Sequence, residues 1–220
     1  MKKSTFLNIF SIFCFPLFFI ILIWTIKIIE IGFDTSFIQL GLFPQKISGL
    51  KGIFLSPLIH KDFNHLLNNS YPLLVLGGML FHFYKKIAWK LLFLLCVVSG
   101  FWLWIIGRPS FHIGASGLIY SLASFLFISG IIKKDPRLYS ISMLIVFLYG
   151  SMIWGILPTK EEISWEGHLS GFLAGILIAL FYKNDGPQRK KHQWEIDEEL
   201  EEKQQAKIKI NYTVIDKHEP

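Results

Sequence analysis

The chain is laid out as apolar blocks of about twenty residues, separated by short clusters of lysine and arginine. A stretch such as "LFFIILIWTIKII" has no polar face to turn toward water. A helix needs about 20 residues to cross a hydrocarbon core about 30 Å thick. Against a range of roughly 17–25 residues, six blocks are candidate spans: residues 6–29, 65–84, 87–106, 115–132, 138–157 and the slightly shorter 167–182. Inside lipid every backbone N–H and C=O must find a partner within the protein, and helices do this alone. The expected fold is therefore all-α, a polytopic membrane protein built as a six-transmembrane-helix bundle. Composition agrees, with 52% hydrophobic residues, 17% charged residues and a mean hydropathy of +0.47. The first block follows Lys2 and Lys3 as a signal peptide would, but its apolar run is too long and no small-x-small cleavage site follows.

Charge then orients the bundle. One side receives Lys2, Lys3, Lys85, Lys86, Lys90, Lys133, Lys134, Arg137, Lys183, Arg189, Lys190 and Lys191. The other receives only Lys27, Lys46, Lys51, Lys61, Arg108 and Lys160. Positive residues favour the cytoplasm, so both termini are expected inside. Trp24, Trp102, Trp104, Trp154 and Trp165 fall at the opposite, outer ends, as an aromatic belt would. The net charge of +6 is thus topological, and nucleic acid is not an expected partner. Residues 1–183 form the expected membrane domain. Residues 184–220 read as a polar, solvated cytoplasmic tail, with a short cytoplasmic helix as the alternative. Cys14 and Cys96 sit in apolar blocks without metal-ligand neighbours, so neither a disulfide nor a metal is expected.

Spans two, four and six run from outside to inside and end on basic residues, which supplies a common ruler of about 1.5 Å per residue. Ser116 lies about 25 Å above the inner boundary, His168 about 22 Å and Asn69 about 24 Å. His65 stands one turn above Asn69 on the same face. Four polar residues from three spans therefore reach one level within the bilayer. Polar groups at such depth are costly and face the bundle interior or a wet cavity.

A serine and a histidine at one depth suggest a nucleophile with its base. No acidic residue of the later spans reaches that level; Glu166, just outside span six, is the nearest. A Ser116–His168 dyad is expected, with packing orienting the imidazole. Gly167, Gly171 and Gly175 provide a close-packing face beside His168. Ser116 starts a helix, so its backbone N–H and the helix dipole are available to an oxyanion. Asn69 and His65 add side-chain donors, and Gly114 and Gly117 allow a close backbone approach. Tyr120, four residues after Ser116, can stack on His168. His112 could line the site, with a boundary role the preferred reading, and a metal at "HKDFNHLLNN" lacks further ligands.

These residues match a known family. The chain resembles the rhomboid intramembrane serine proteases in their six-span bacterial form. Three motifs carry the likeness: His60-Lys-Asp-Phe-Asn-His65-Leu-Leu-Asn-Asn69, Gly114-Ala115-Ser116-Gly117 with Tyr120, and Gly167-His168 with Gly171 and Gly175. The likeness covers about residues 5–183. It implies Ser116 as nucleophile, His168 as base, and His65, Asn69 and the Ser116 N–H as oxyanion hole, with His60 supporting the site from above. It implies transmembrane protein substrates within the lipid bilayer, no cofactor and no metal. Span five and residues 158–166 would form a mobile gate. The expected location is a bacterial inner membrane, with the site opening to the outer side. The alternative is a catalytically inactive rhomboid-like binder of transmembrane segments; such relatives usually lack the serine or the histidine, and both stand here. The likeness departs in the first outer loop, where "SGLKGIFLSPLIH" holds Lys51 and no Trp-Arg pair. How that loop is held does not follow from it.

Overall fold

The structure, a computed structural model, describes residues 3–158, 164–188 and 193–215. The chain forms two compact units, residues 1–188 and 189–220. The first contains helices α1 (Lys3–Gly32), α2 (Gly52–Leu55), α3 (Phe63–Phe83), α4 (Ala88–Ile106), α5 (Ser116–Lys133), α6 (Pro136–Tyr149) and α7 (Trp165–Phe181). Three apolar stretches, Ile12–Gly32, Ala88–Ile106 and Ser116–Lys133, are long enough to cross a bilayer. The chain is an all-α, multi-pass integral membrane protein.

Helix α5 is the hub, packing against α3, α4, α6 and α7. It is apolar on every side, which is tolerable only for a helix surrounded by others. Leu122, Phe125 and Leu126 are fully buried. Ser121 and Ser124 are buried too, with hydroxyls donating to carbonyls of their own helix at 2.8 and 3.3 Å. Such small residues let α7 come close. A Cβ on Gly171 would meet the Gly117 carbonyl oxygen at 2.1 Å, and one on Gly175 would meet Ser124 Oγ at 2.0 Å. The two backbones therefore touch, with dispersion replacing a hydrophobic drive that lipid does not supply. At the C-terminal end of α5, Lys133 Nζ donates to the carbonyls of Lys183 at 2.7 Å, Tyr182 at 3.3 Å and Asp185. The ammonium thereby caps the α7 C-terminus, where the helix dipole is negative.

Span five differs from the expected uniform helix. Helix α6 opens on Asp135, whose carboxylate accepts from the Arg137 and Leu138 N–H groups, and closes at Tyr149. Gly150–Ile156 then continues as a 3₁₀ segment. The tighter winding lengthens the rise per residue, so the 14 and 7 residues together reach about 35 Å.

The long loop between α1 and α3 is held by residues that the motifs do not include. Lys27 Nζ at the top of α1 donates to Glu30 at 3.1 Å and to the carbonyls of His60 and Lys61 at 3.0 Å each. Glu30, itself buried, accepts from the Phe37 N–H at 2.8 Å. One α1 pair thus fastens both ends of the loop. Its middle forms an antiparallel bridge from Leu42 to His112, and Ser56 accepts from the Gly114 N–H at 2.8 Å.

The second unit holds α8 (Gln193–Ile215). Its residues from 193 to 206 are largely exposed, as a solvated tail would be, but the backbone is helical. Glu, Gln, Lys, Ala and Leu are strong helix formers, and Glu199 precedes Lys203 at the favourable i,i+4 spacing.

Candidate active site

Ser116 is the first residue of α5, so its N–H has no intrahelical acceptor. The preceding turn depends on Gly114, whose φ of +105° suits glycine alone. A Cβ there would meet His65 Cε1 at 2.6 Å and Nε2 at 2.7 Å. The bare glycine is what brings the α3 ring against the turn that delivers Ser116.

His168 lies in the first turn of α7, directly across from Ser116. Its Nε2 stands 2.9 Å from Ser116 Oγ, and its Nδ1 stands 2.9 Å from the Gly155 carbonyl oxygen. Tyr120 stacks on the imidazole with centroids 4.3 Å apart and planes 12° apart. The ring is thus held by stacking and also by a backbone oxygen from the 3₁₀ segment, which no sequence pattern announced. Glu166 does not take that part. It is buried and stands 3.5 Å from Arg108 Nε as an ion pair. Gly171 and Gly117 supply the backbone contact already described. Gly167 instead faces Ser164, whose Oγ a Cβ would meet at 2.8 Å.

On α3, Asp62 accepts from the His65 N–H at 2.8 Å and so caps the helix that carries His65 and Asn69. That bond holds the Asp62 carboxyl below the ordinary carboxylate range. Asn69 is 4% exposed, and its Nδ2 has no hydrogen-bond partner among the described residues. The His60 ring packs edge-on against His65 with centroids 5.1 Å apart. Burial, and secondarily the charge of His65, hold His60 down to about 3, so it is a neutral packing element.

Of the two readings of His112, the structure favours the one beside the site over the boundary one, since it lines a cavity with Ser116 and His168. His112 is 3% exposed, with Nδ1 2.6 Å from Ser164 Oγ and Nε2 3.1 Å from the Arg108 carbonyl. A carbonyl only accepts, so Nε2 carries the proton and Nδ1 accepts from Ser164. Burial also lowers its basicity. His112 thus ties the loop before Ser116 to the residue that opens α7. The signal was present in sequence only as proximity to Ser116; Ser164 gave none.

His65, Asn69, Ser116, His168, Arg108 and Ser164 all line one cavity of about 640 Å³. Among the described residues no group of three His, Cys, Asp or Glu side chains is placed to hold a metal ion. Of the expected gate, residues 159–163 lie outside the described residues.

The fold and site together define a multi-pass helical membrane protein with a Ser–His pair inside its bundle. Residues 48–184 match the Rhomboid domain, and the chain belongs to the rhomboid family. It is similar to uncharacterized proteins of Mycobacterium bovis and Mycobacterium tuberculosis, with 32% identity over 182 residues, 78% of this chain and 75% of each relative. An uncharacterized protein of Mycobacterium leprae is 30% identical over 189 residues, covering 78% of this chain and 71% of its own.

Proposed function

We propose that this chain is an intramembrane serine endopeptidase that cleaves membrane proteins in or near their transmembrane segments. The observation that carries the reading is the 2.9 Å contact between Ser116 Oγ and His168 Nε2 inside an apolar bundle. With Nδ1 facing a carbonyl, the lone pair of Nε2 is directed at the serine hydroxyl. As Ser116 Oγ attacks the scissile carbonyl carbon, its proton passes to Nε2. The tetrahedral oxyanion accepts from Asn69 Nδ2, from a His65 ring N–H and from the Ser116 backbone N–H. The amide nitrogen takes the proton from His168 and leaves, which creates an ester on Ser116. Water from the open cavity then attacks the ester with His168 as base and restores the enzyme. His60, Gly114, Gly117, Tyr120, Gly167 and Gly171 support this machinery without touching the reacting atoms.

We read the membrane domain as six spans in residues 1–183, with residues 184–220 and both termini in the cytoplasm. The site then opens on the outer side of a bacterial inner membrane. The asymmetry of lysine and arginine between the two ends supports this orientation.

The test is cleavage of a single-span substrate in liposomes. Ser116→Ala and His168→Ala are expected to lose about 10³-fold or more in kcat. Substantial cleavage by Ser116→Ala overturns the reading. Absence of cleavage by the wild type, with retained binding of the span, supports a non-cleaving binder instead.

A further inference from the structure

We propose that the backbone carbonyl of Gly155 is the orienting partner of His168, which makes the 3₁₀ segment beyond α6 a positioning element of the dyad. The proposal rests on the reading of His168 as base. A carbonyl can only accept, so its 2.9 Å contact with Nδ1 places the proton there and leaves Nε2 bare toward Ser116. Without such an acceptor a neutral imidazole divides between two tautomers, and one of them offers Ser116 an N–H instead of a lone pair. Tyr120 fixes the plane of the ring by stacking, but a π-face does not choose between tautomers. The Gly155 oxygen does.

The residue at 155 has to be glycine for this contact to form. A Cβ would meet Tyr120 Oη at 2.2 Å and His168 Nδ1 at 3.1 Å. The main chain therefore reaches the imidazole by presenting no side chain at all. Other residues of the 3₁₀ segment face elsewhere. Gly150, Ile153 and Ile156 line an apolar cleft of about 300 Å³, closed on its other walls by Tyr120 of α5 and Phe172 of α7. The segment thus has open apolar space on one side and the base on the other. A shift of about 1 Å into that cleft takes the Nδ1–oxygen contact out of hydrogen-bond range. Opening the bundle at α6 and disarming the base are then one event: the dyad is correctly protonated only when the 3₁₀ segment is seated.

Two variants test this in the full chain, in detergent and in liposomes. Gly155→Ala displaces the segment sterically. Replacement of Ile156 by its α-hydroxy acid turns the 155–156 amide into an ester, adds no bulk and weakens the Gly155 oxygen as an acceptor. Both are expected to lower kcat about tenfold or more, the loss of one good hydrogen bond, with little change in KM. Imidazole ¹⁵N spectra of His168 are expected to move from a single Nδ1–H tautomer toward a mixture. A structural disturbance alone leaves the tautomer unchanged. An ester variant with wild-type kcat and a wild-type ¹⁵N spectrum overturns the proposal. If Ser116→Ala is inactive in the same preparation, only the Gly155 assignment fails; if Ser116→Ala still cleaves, the dyad itself fails.

Discussion

The α-carbon of Gly171 in α7 faces the carbonyl of Gly117 in α5 so closely that a methyl group built on it meets the oxygen at 2.1 Å. Gly117 follows Ser116 directly, so any separation of the two helices is delivered to the serine. Gly171→Ala is expected to destabilise the protein by about 1–3 kcal/mol through overpacking. It also lengthens the Ser116–His168 contact. Gly167→Ala meets a serine hydroxyl rather than backbone and is expected to cost less. Thermal unfolding in detergent, run beside cleavage assays, checks the order.

Asn69 Nδ2 is buried and without a partner among the described residues. Under the proposed function this idle donor serves the oxyanion of the transition state. Asn69→Ala is expected to reduce kcat by about 10²-fold while leaving the thermal midpoint close to wild type. A large loss of stability with unchanged kcat per folded molecule contradicts that role.

The dyad has a chemical signature apart from peptide cleavage. A fluorophosphonate is expected to label Ser116 in the wild type and to fail with His168→Ala, because the hydroxyl then lacks its base. Intact-mass measurement reads the adduct directly. Equal labelling of both proteins removes His168 from the role of base.

Acid is expected to weaken the fold. Burial and the nearby His65 hold the ring of His60 down to about 3, against about 6.5 for the unfolded chain. Between those values the unfolded state binds more protons than the folded one, so stability falls as pH drops through this window and is fully present above it. His112, also lowered by burial, adds to the loss in the same direction. Thermal midpoints at pH 7.5 and pH 5 check the sign, and His60→Phe is expected to flatten the difference.

The loop that carries His60 depends on Lys27. Removing its ammonium strands Glu30, 5% exposed, without its cation and frees the carbonyls of His60 and Lys61. Lys27→Met is expected to destabilise by about 3 kcal/mol, the cost of leaving a buried charge unpaired. Proteolysis of residues 33–62 should accelerate, and Lys27→Met/Glu30→Gln should recover part of the loss.

Much of the candidate site was legible in the sequence because the membrane simplifies geometry. Spans must cross a slab of known thickness, so counting residues from a basic boundary becomes a depth. Counting put Ser116, His168, Asn69 and His65 at one level, and spacing put Gly171 and Gly175 on the face that packs against α5. Other contacts had no such ruler. Nothing in one dimension indicates that Lys27 reaches His60, that His112 bonds Ser164 across 52 residues, or that Glu166 turns to Arg108 rather than His168. The break of α6 into a 3₁₀ segment was equally hidden, since an apolar run reads the same in either winding.

The sequence by itself determined the class of fold and the depth of its polar residues, because lipid demands apolar helices of fixed length and penalises buried polarity. Which polar groups meet was decided only by the tertiary structure. Direction of approach depends on helix rotation and on loop paths, and these follow from close packing at a few glycines and from hydrogen bonds between distant segments. The Gly155 oxygen is the clearest case: a backbone atom of an unremarkable glycine, placed against His168 by the way three helices pack.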